Sequence, residues 1–192
     1  GKNIYTNAIN GLALEDISVL KKNKKQIVKL SKEVDELRDN IFYFIKNLDE
    51  SSIHASNFYI NILGYLHDMS QSLEYTTKVC YKHVNNNHKK LKFSQYKELK
   101  EIYTRFEVFF DNIQHAFDTK SFDQIGDIIS TKQEISDLVL DKIQKQVERT
   151  RKEESSPKNT TLYFNILVET KDLLNATMSL LEEYYNAHEN TI

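Results

Sequence analysis

From Ile62 the apolar positions of this chain recur at alternating spacings of four and three, through Leu66, Met69, Leu73, Thr76, Cys80 and His83. An earlier run links Ile27, Leu30, Val34, Leu37, Ile41, Phe44 and Leu48 at spacings of three and four. Only an α-helix returns side chains to one face at that interval, whereas a half-buried strand needs a period of two. Two long helices are therefore expected over about residues 24–49 and 54–86. The triplet Asn85-Asn86-Asn87 closes the second, because asparagine tolerates the left-handed conformation that ends helices. With 4 Gly and 1 Pro in 192 residues, the chain lacks the corner residues that a sandwich or barrel requires. Disorder is equally disfavoured, since 11 Tyr and 10 Phe supply large apolar surfaces and the net charge is only −2.

The rest of the chain carries the same period. Ile4 to Leu20 reads as a shorter helix with Lys21-Lys22-Asn23-Lys24 as its exit. The segment from Ser94 to Phe117 places Leu99, Ile102, Tyr103, Phe106, Phe109, Phe110, Ile113 and Phe117 on one wide apolar face. Ser121 with Gln124 three residues later has the spacing of a capping box for a fifth helix, whose Ile125, Ile128, Ile135, Leu138 and Val139 turn to the core. Ser155-Ser156-Pro157 ends that helix and opens a sixth, running to about His188. Leu37 and Leu66 lie on the seams, so a charge at either is expected to unfold a bundle.

The halves of the chain repeat. Phe58-Tyr59-Ile60-Asn61-Ile62-Leu63 and Asp68 align with Leu162-Tyr163-Phe164-Asn165-Ile166-Leu167 and Asp172 at an offset of 104. One helix earlier, Ile27, Val28, Val34 and Leu37 align with Ile128, Ile129, Ile135 and Leu138 at an offset of 101. The expected fold is all-α, six helices as two tandem pseudo-symmetric three-helix bundles of the spectrin-like up-down kind. Residues 1–92 form the first unit and 93–192 the second, and the two make one compact body.

Several function classes recede on simple grounds. The single cysteine, Cys80, cannot close an internal disulfide, so no oxidising compartment is required. The longest stretch without a charged residue, Ser51 to His67, is interrupted by Ser, His and Asn and is too polar to cross a bilayer. A net charge of −2 offers no general attraction for nucleic acid. Gly1, in place of an initiator Met, reads as an expression scar or a cut in a longer chain. No nucleophile elbow, phosphate-cradling glycine loop, zinc-protease motif or Ser/His/Asp grouping is present, which argues against an enzyme.

Two tandem three-helix units containing Lys32-Glu33-Val34-Asp35-Glu36-Leu37 and Leu63-Gly64-Tyr65-Leu66-His67-Asp68 resemble the PhoU family of phosphate-homeostasis proteins. More narrowly, Leu66-His67-Asp68-Met69-Ser70-Gln71-Ser72-Leu73, leading through Cys80 and Tyr81 to His83-Val84-Asn85-Asn86-Asn87-His88, is similar to the C-terminal domain of bacterial Na/Pi cotransporter II-related proteins. The resemblance implies a non-enzymatic regulatory domain of a sodium-dependent phosphate transporter. It would lie on the cytoplasmic side of the bacterial inner membrane, with the transmembrane domain of the same polypeptide as partner. A homodimer and inorganic phosphate are further partners to be tested, and nucleic acid is not expected. The alternatives are a stand-alone PhoU-like phosphate-signalling regulator, a metal-binding helical bundle and a generic helical dimerisation module.

The resemblance also implies metal binding through Glu-x-x-x-Asp motifs, in which two carboxylates four apart share one helix face. Asp68 and Asp172 hold the Asp position here, but Gly64 and Val168 stand four residues earlier and offer no oxygen ligand. No cofactor is expected, and a divalent or transition metal is disfavoured. Asp68 and Asp172 remain the candidate metal residues, with Asn61, Asn165 and His67 as candidate binding residues. The i,i+4 pairs Asp35/Asp39 and Asp137/Asp141 read as solvated surface. Cys80 and His83 lie on the apolar seam and read as core, while His83 and His88 are five apart, the wrong spacing for a shared helix face. Three basic runs, Lys21 to Lys25, His88 to Lys92 and Arg149 to Lys152, read as helix-end charges, with anionic headgroups as the functional alternative.

Overall fold

The computed structural model describes residues 1–189, apart from the side chains of Ser51 and His54. The last three residues of the expected second unit, Asn190 to Ile192, lie outside the described residues. The fold is all-α on a six-rod plan: α1 (Lys2–Ala13), α2 (Ile17–Asp39) continued by the short α3 (Ile41–Lys46), α4 (Ile53–Asn85), α5 (Phe93–Asp118), α6 (Asp123–Ser130) continued by α7 (Lys132–Arg151), and α8 (Pro157–Glu189). A single 3-10 turn, Glu50–Ser52, precedes α4.

At the centre α4 and α8 lie side by side and antiparallel: Asn61 donates to Glu183 at 2.8 Å near one end, and Asn159 donates to the Lys90 carbonyl at 2.9 Å near the other. Helices α1 and α2 pack on α4, whereas α6 and α7 pack on α8. Helix α5 bridges the units, covering α6 and α7 and touching α1, where the Tyr5 and Phe106 rings sit 5.3 Å apart. One continuous apolar core results, reaching from Tyr5, Ile9 and Leu20 through Leu73 and Leu99 to Ile166 and Leu181. The α4 seam is buried or packed on that core along its whole length, and so is the α5 face.

The helix ends depart from the expected ones for local reasons. The first turn falls at Leu14 to Asp16 rather than at the lysines, and Lys21 to Lys25 sit inside α2. Asp16 caps α2 by accepting from the Ser18 and Val19 amides at 3.1 Å each. Glu15 takes φ 52°, and the equivalent turn after α5 places Lys120 at φ 53°. Both are closed by the same hydrogen bonds, Asp16 N–H to the Gly11 carbonyl and Ser121 N–H to the Ala116 carbonyl, 2.9 Å in each case. Gly11 is required there, because a Cβ would fall 2.7 Å from Leu20 Cγ.

The expected Ser121 capping box does not form. The Ser121 hydroxyl bonds Thr119 Oγ1 at 2.8 Å, and α6 starts without a side-chain cap. The fifth rod also breaks at Thr131, where the Ser130 hydroxyl donates to the Asp127 carbonyl and the Ile128 carbonyl accepts both the Thr131 hydroxyl and, in a 3-10 bond, the Thr131 N–H. The second rod breaks at Asn40. The expected burial of Leu37 is wrong: it is 53 % exposed, and Phe44, which meets Tyr59 edge to face, is 39 % exposed, because among the described residues only α4 packs beside that end of the α2 seam. The unfolding expected of a charge at Leu37 is withdrawn on the same ground.

Candidate functional site

Where α4 and α8 cross the middle of the molecule they leave an open groove of about 690 Å³. Its lining follows the 104-residue offset of the sequence: Tyr65 with Glu169, Asp68 with Asp172, Gln71 with Asn175, Ser72 with Ala176, and Tyr75 with Ser179. Two antiparallel helices carrying the same register about a common centre present equivalent positions to each other across a pseudo-twofold. Asp68 and Asp172 are therefore brought into one site from residues 104 apart in the chain.

Glu74 and Glu169 join them, so the groove holds four carboxylates against one cation, Lys78. Glu169 is half-buried, and its carboxyl is raised above the ordinary range first by burial and then by the facing charge of Asp172. A hydrogen bond from the Ser72 hydroxyl opposes that rise. Glu169 was not singled out from the sequence, because the motif considered there places the partner four residues before the aspartate. At three residues before Asp172 it shares the same face, and that spacing was the available signal.

The other sequence-derived residues lie elsewhere. Asn61 is engaged with Glu183, and His67 points its Nδ1 at Asp35 on α2 across 3.8 Å. Asn165 is half-buried and does not line the groove. Gly64 opens onto a second groove beside Asp35, Arg38 and Asp39, and Val168 is exposed outside the first, so neither Glu position of the implied metal motif faces Asp68 and Asp172. Among the described residues no three His, Cys, Asp or Glu side chains are grouped so as to hold a metal ion.

Cys80 is fully buried, and burial drives its thiol upward. His83 is also buried, bonds the Lys89 carbonyl at 2.8 Å, and is held below its ordinary pKa chiefly by desolvation. The two histidines judged too far apart on a helix do meet: the His83 and His88 rings are 5.1 Å apart, because α4 has ended and Asn87 at φ 54° turns the chain back.

A polar layer inside the second unit escaped the sequence reading altogether. Glu98 accepts from Arg149 Nη2 at 2.8 and 2.9 Å and from the Tyr163 hydroxyl at 2.8 Å, all of it buried. Beside it Gln95 donates to Gln146 at 3.0 Å. Tyr5 of the first unit and Thr170 of the second share a buried hydrogen bond of 2.7 Å, and within the first unit the Asn23 amide donates to the Ile4 carbonyl and Thr77. These groups hold helices in register; all are buried, and only Glu98 and Arg149 also border a surface groove.

The architecture defines a class: two three-rod units joined through a central antiparallel pair into one helical body. The crystal structure of PhoU from Pseudomonas aeruginosa has this fold, with a TM-score of 0.75 over 97 % of this chain and 90 % of that one, at 10 % sequence identity. The fold is PhoU-like. No protein-family model matches the chain, and no curated protein matches it. Among the described residues no helix is long and apolar enough to cross a membrane.

Proposed function

We propose that this chain is a non-enzymatic PhoU-like regulator of phosphate homeostasis, working through contacts of its helix faces with partner proteins. The observation that carries the proposal is the likeness to PhoU over 97 % of the chain. The electrostatics of the central groove bear on how phosphate enters. Four carboxylates against one lysine repel a phosphate dianion, so this groove is not a phosphate site.

A transporter-attached version of the same role rests on the run from Leu66 to His88, which resembles the C-terminal domain of Na/Pi cotransporter-related proteins. In that version the transmembrane partner belongs to the same polypeptide. The experiment is deletion of the gene in its own host, followed by a phosphate-starvation reporter and labelled-phosphate uptake in phosphate-rich medium. The proposal expects derepressed reporter or unrestrained uptake, restored by the intact gene. Unchanged reporter and unchanged uptake refute it. Fractionation of the same cells separates the versions: the attached form stays with membranes washed in high salt, and the stand-alone form does not.

A further inference from the structure

Three turns meet at one end of the molecule: residues 14–16 before α2, 86–92 before α5 and 152–156 before α8. Lys90 Nζ lies 3.8 Å from Glu15, Asn159 donates to the Lys90 carbonyl at 2.9 Å, and Gln95 donates to the Ser155 hydroxyl at 3.3 Å, so the three turns are neighbours. Taken with eight residues on either side, as 6–24, 78–100 and 144–164, they carry 15 Lys and Arg against 6 Asp and Glu, whereas the rest of the chain carries 11 against 22. The near-zero net charge of the chain therefore conceals a basic end and an acidic remainder.

Complementing helix C-termini accounts for Lys82 and Arg151, which sit in the last turns of α4 and α7. It does not account for the lysines where helices begin. None of α2, α5 and α8, which all start at this end, has an acidic residue in its first turn. Lys21 and Lys22 fall in the second turn of α2, Lys92 directly precedes α5, and Lys158 is the second residue of α8, each of them exposed. Cations so placed oppose the helix dipoles and subtract from stability. The same end carries the two most exposed large hydrophobic side chains among the described residues, Phe93 at 80 % and Leu14 at 72 %.

We propose that this end docks on an anionic membrane surface, its lysines meeting the headgroup phosphates while Phe93 and Leu14 enter the boundary beneath them. Protruding apolar side chains ringed by lysines gain at such a boundary from both terms at once. A nucleic acid is the less suited polyanion. Among the exposed cations of the three stretches Arg151 alone carries the guanidinium fork that reads bases, and Leu14 offers no face on which a base could stack. The acidic remainder does not oppose the contact: α4 and α8, 33 residues each, carry the far end roughly 50 Å from the surface, several Debye lengths away. The proposal needs only this end of the molecule and stands apart from the phosphate reading.

The test is co-sedimentation of the full chain with vesicles of phosphatidylcholine alone or with about 30 % phosphatidylglycerol. The chain should pellet with the anionic vesicles at low salt, be released at about 0.5 M salt, and ignore the neutral ones. Lys89→Gln with Lys92→Gln should weaken partitioning about twentyfold, at roughly fivefold per lysine. Lys46→Gln with Lys120→Gln removes the same charge outside the three stretches and should leave partitioning within about twofold. The chain has no tryptophan, so Phe93→Trp is a unique reporter whose emission should shift to the blue on anionic vesicles. All five side chains are exposed, so the fold should persist; if the Lys89/Lys92 variant melts early, the reporter supplies the reading. No pelleting, equal pelleting with neutral vesicles, an unshifted emission, or equal losses from the two lysine pairs overturns the proposal. So does tighter binding of a short DNA duplex, or head-to-tail self-association lost in the Lys89/Lys92 variant.

Discussion

Glu98 and Arg149 provide the sharpest energetic test of the core. Their side chains are 9 and 10 % exposed, and the carboxylate takes all three of its hydrogen bonds from Arg149 and Tyr163. Replacing Arg149 with Met keeps the apolar stem but strands a buried carboxylate with a single phenol donor. Breaking one side of a buried pair in this way costs about 3–5 kcal/mol. At the roughly 2–4 °C per kcal/mol typical of a chain of this size, the melting point should fall by about 10 °C. Glu98→Leu with Arg149→Met removes both charges and should recover about 3 kcal/mol of that loss, because neither is then left unpaired. Urea unfolding of the parent, the two single variants and the double variant gives the coupling directly. A cost below about 1 kcal/mol for Arg149→Met, or a double variant no more stable than the single ones, would show that the pair is solvated and this part of the core misplaced.

Leu37→Asp should change stability by no more than about 0.5 kcal/mol, whereas Leu73→Asp, at a site 2 % exposed, should abolish cooperative melting. Asn23→Ala leaves the Ile4 carbonyl and the Thr77 hydroxyl without their shared donor and should cost about 2 kcal/mol by urea titration. His83 is held below its ordinary pKa in the fold by desolvation, so the unfolded chain takes up its proton first. Stability should therefore decline as pH falls below about 6.5, and His83→Gln should flatten that decline relative to the parent. Glu169 is shifted the other way, its carboxyl raised by burial and by Asp172, so its ionisation opposes folding. Glu169→Gln should raise the melting point at neutral pH and lose that advantage once the pH drops through the carboxylate range.

The long helices were legible from the chain because they depend on periodicity alone, whereas the groove was not: the sequence singled out Asp68 and Asp172 but gave no pairing of the helices that carry them. The α4 seam from Ile62 to His83 keeps one face inward along its length, and the 104-residue offset pairs the groove positions wherever two such helices lie antiparallel. What could not be read is what lies over a face. Ile27 to Leu48 has as regular a seam as α4, yet its far end at Leu37 and Phe44 stays half exposed, since among the described residues only α4 lies beside it. Tyr59 and Tyr163 align perfectly and differ for the same reason: Tyr59 is 43 % exposed and Tyr163 is buried against Glu98. The turn at Glu15 gave no signal because its left-handed residue is not glycine or asparagine. The buried partners Glu98 and Arg149 were hidden because charged residues on a helix are ordinarily solvated, and only tertiary structure shows a matching pair.

The fold and its central groove rest on the antiparallel pairing of α4 with α8. Cysteines placed at Asn61 and Glu183, whose side chains touch at 2.8 Å, test it with a short bis-maleimide and mass spectrometry. Fully buried Cys80, its thiol pushed up by burial, should not compete. The account predicts an efficient intramolecular cross-link for that pair and none for Asn61→Cys with Asn165→Cys, since Asn165 lies about 27 Å further along α8 at 1.5 Å per residue. A cross-link through Asn165→Cys in place of Glu183→Cys would make the pair parallel and contradict the fold, the groove and the function argued from them.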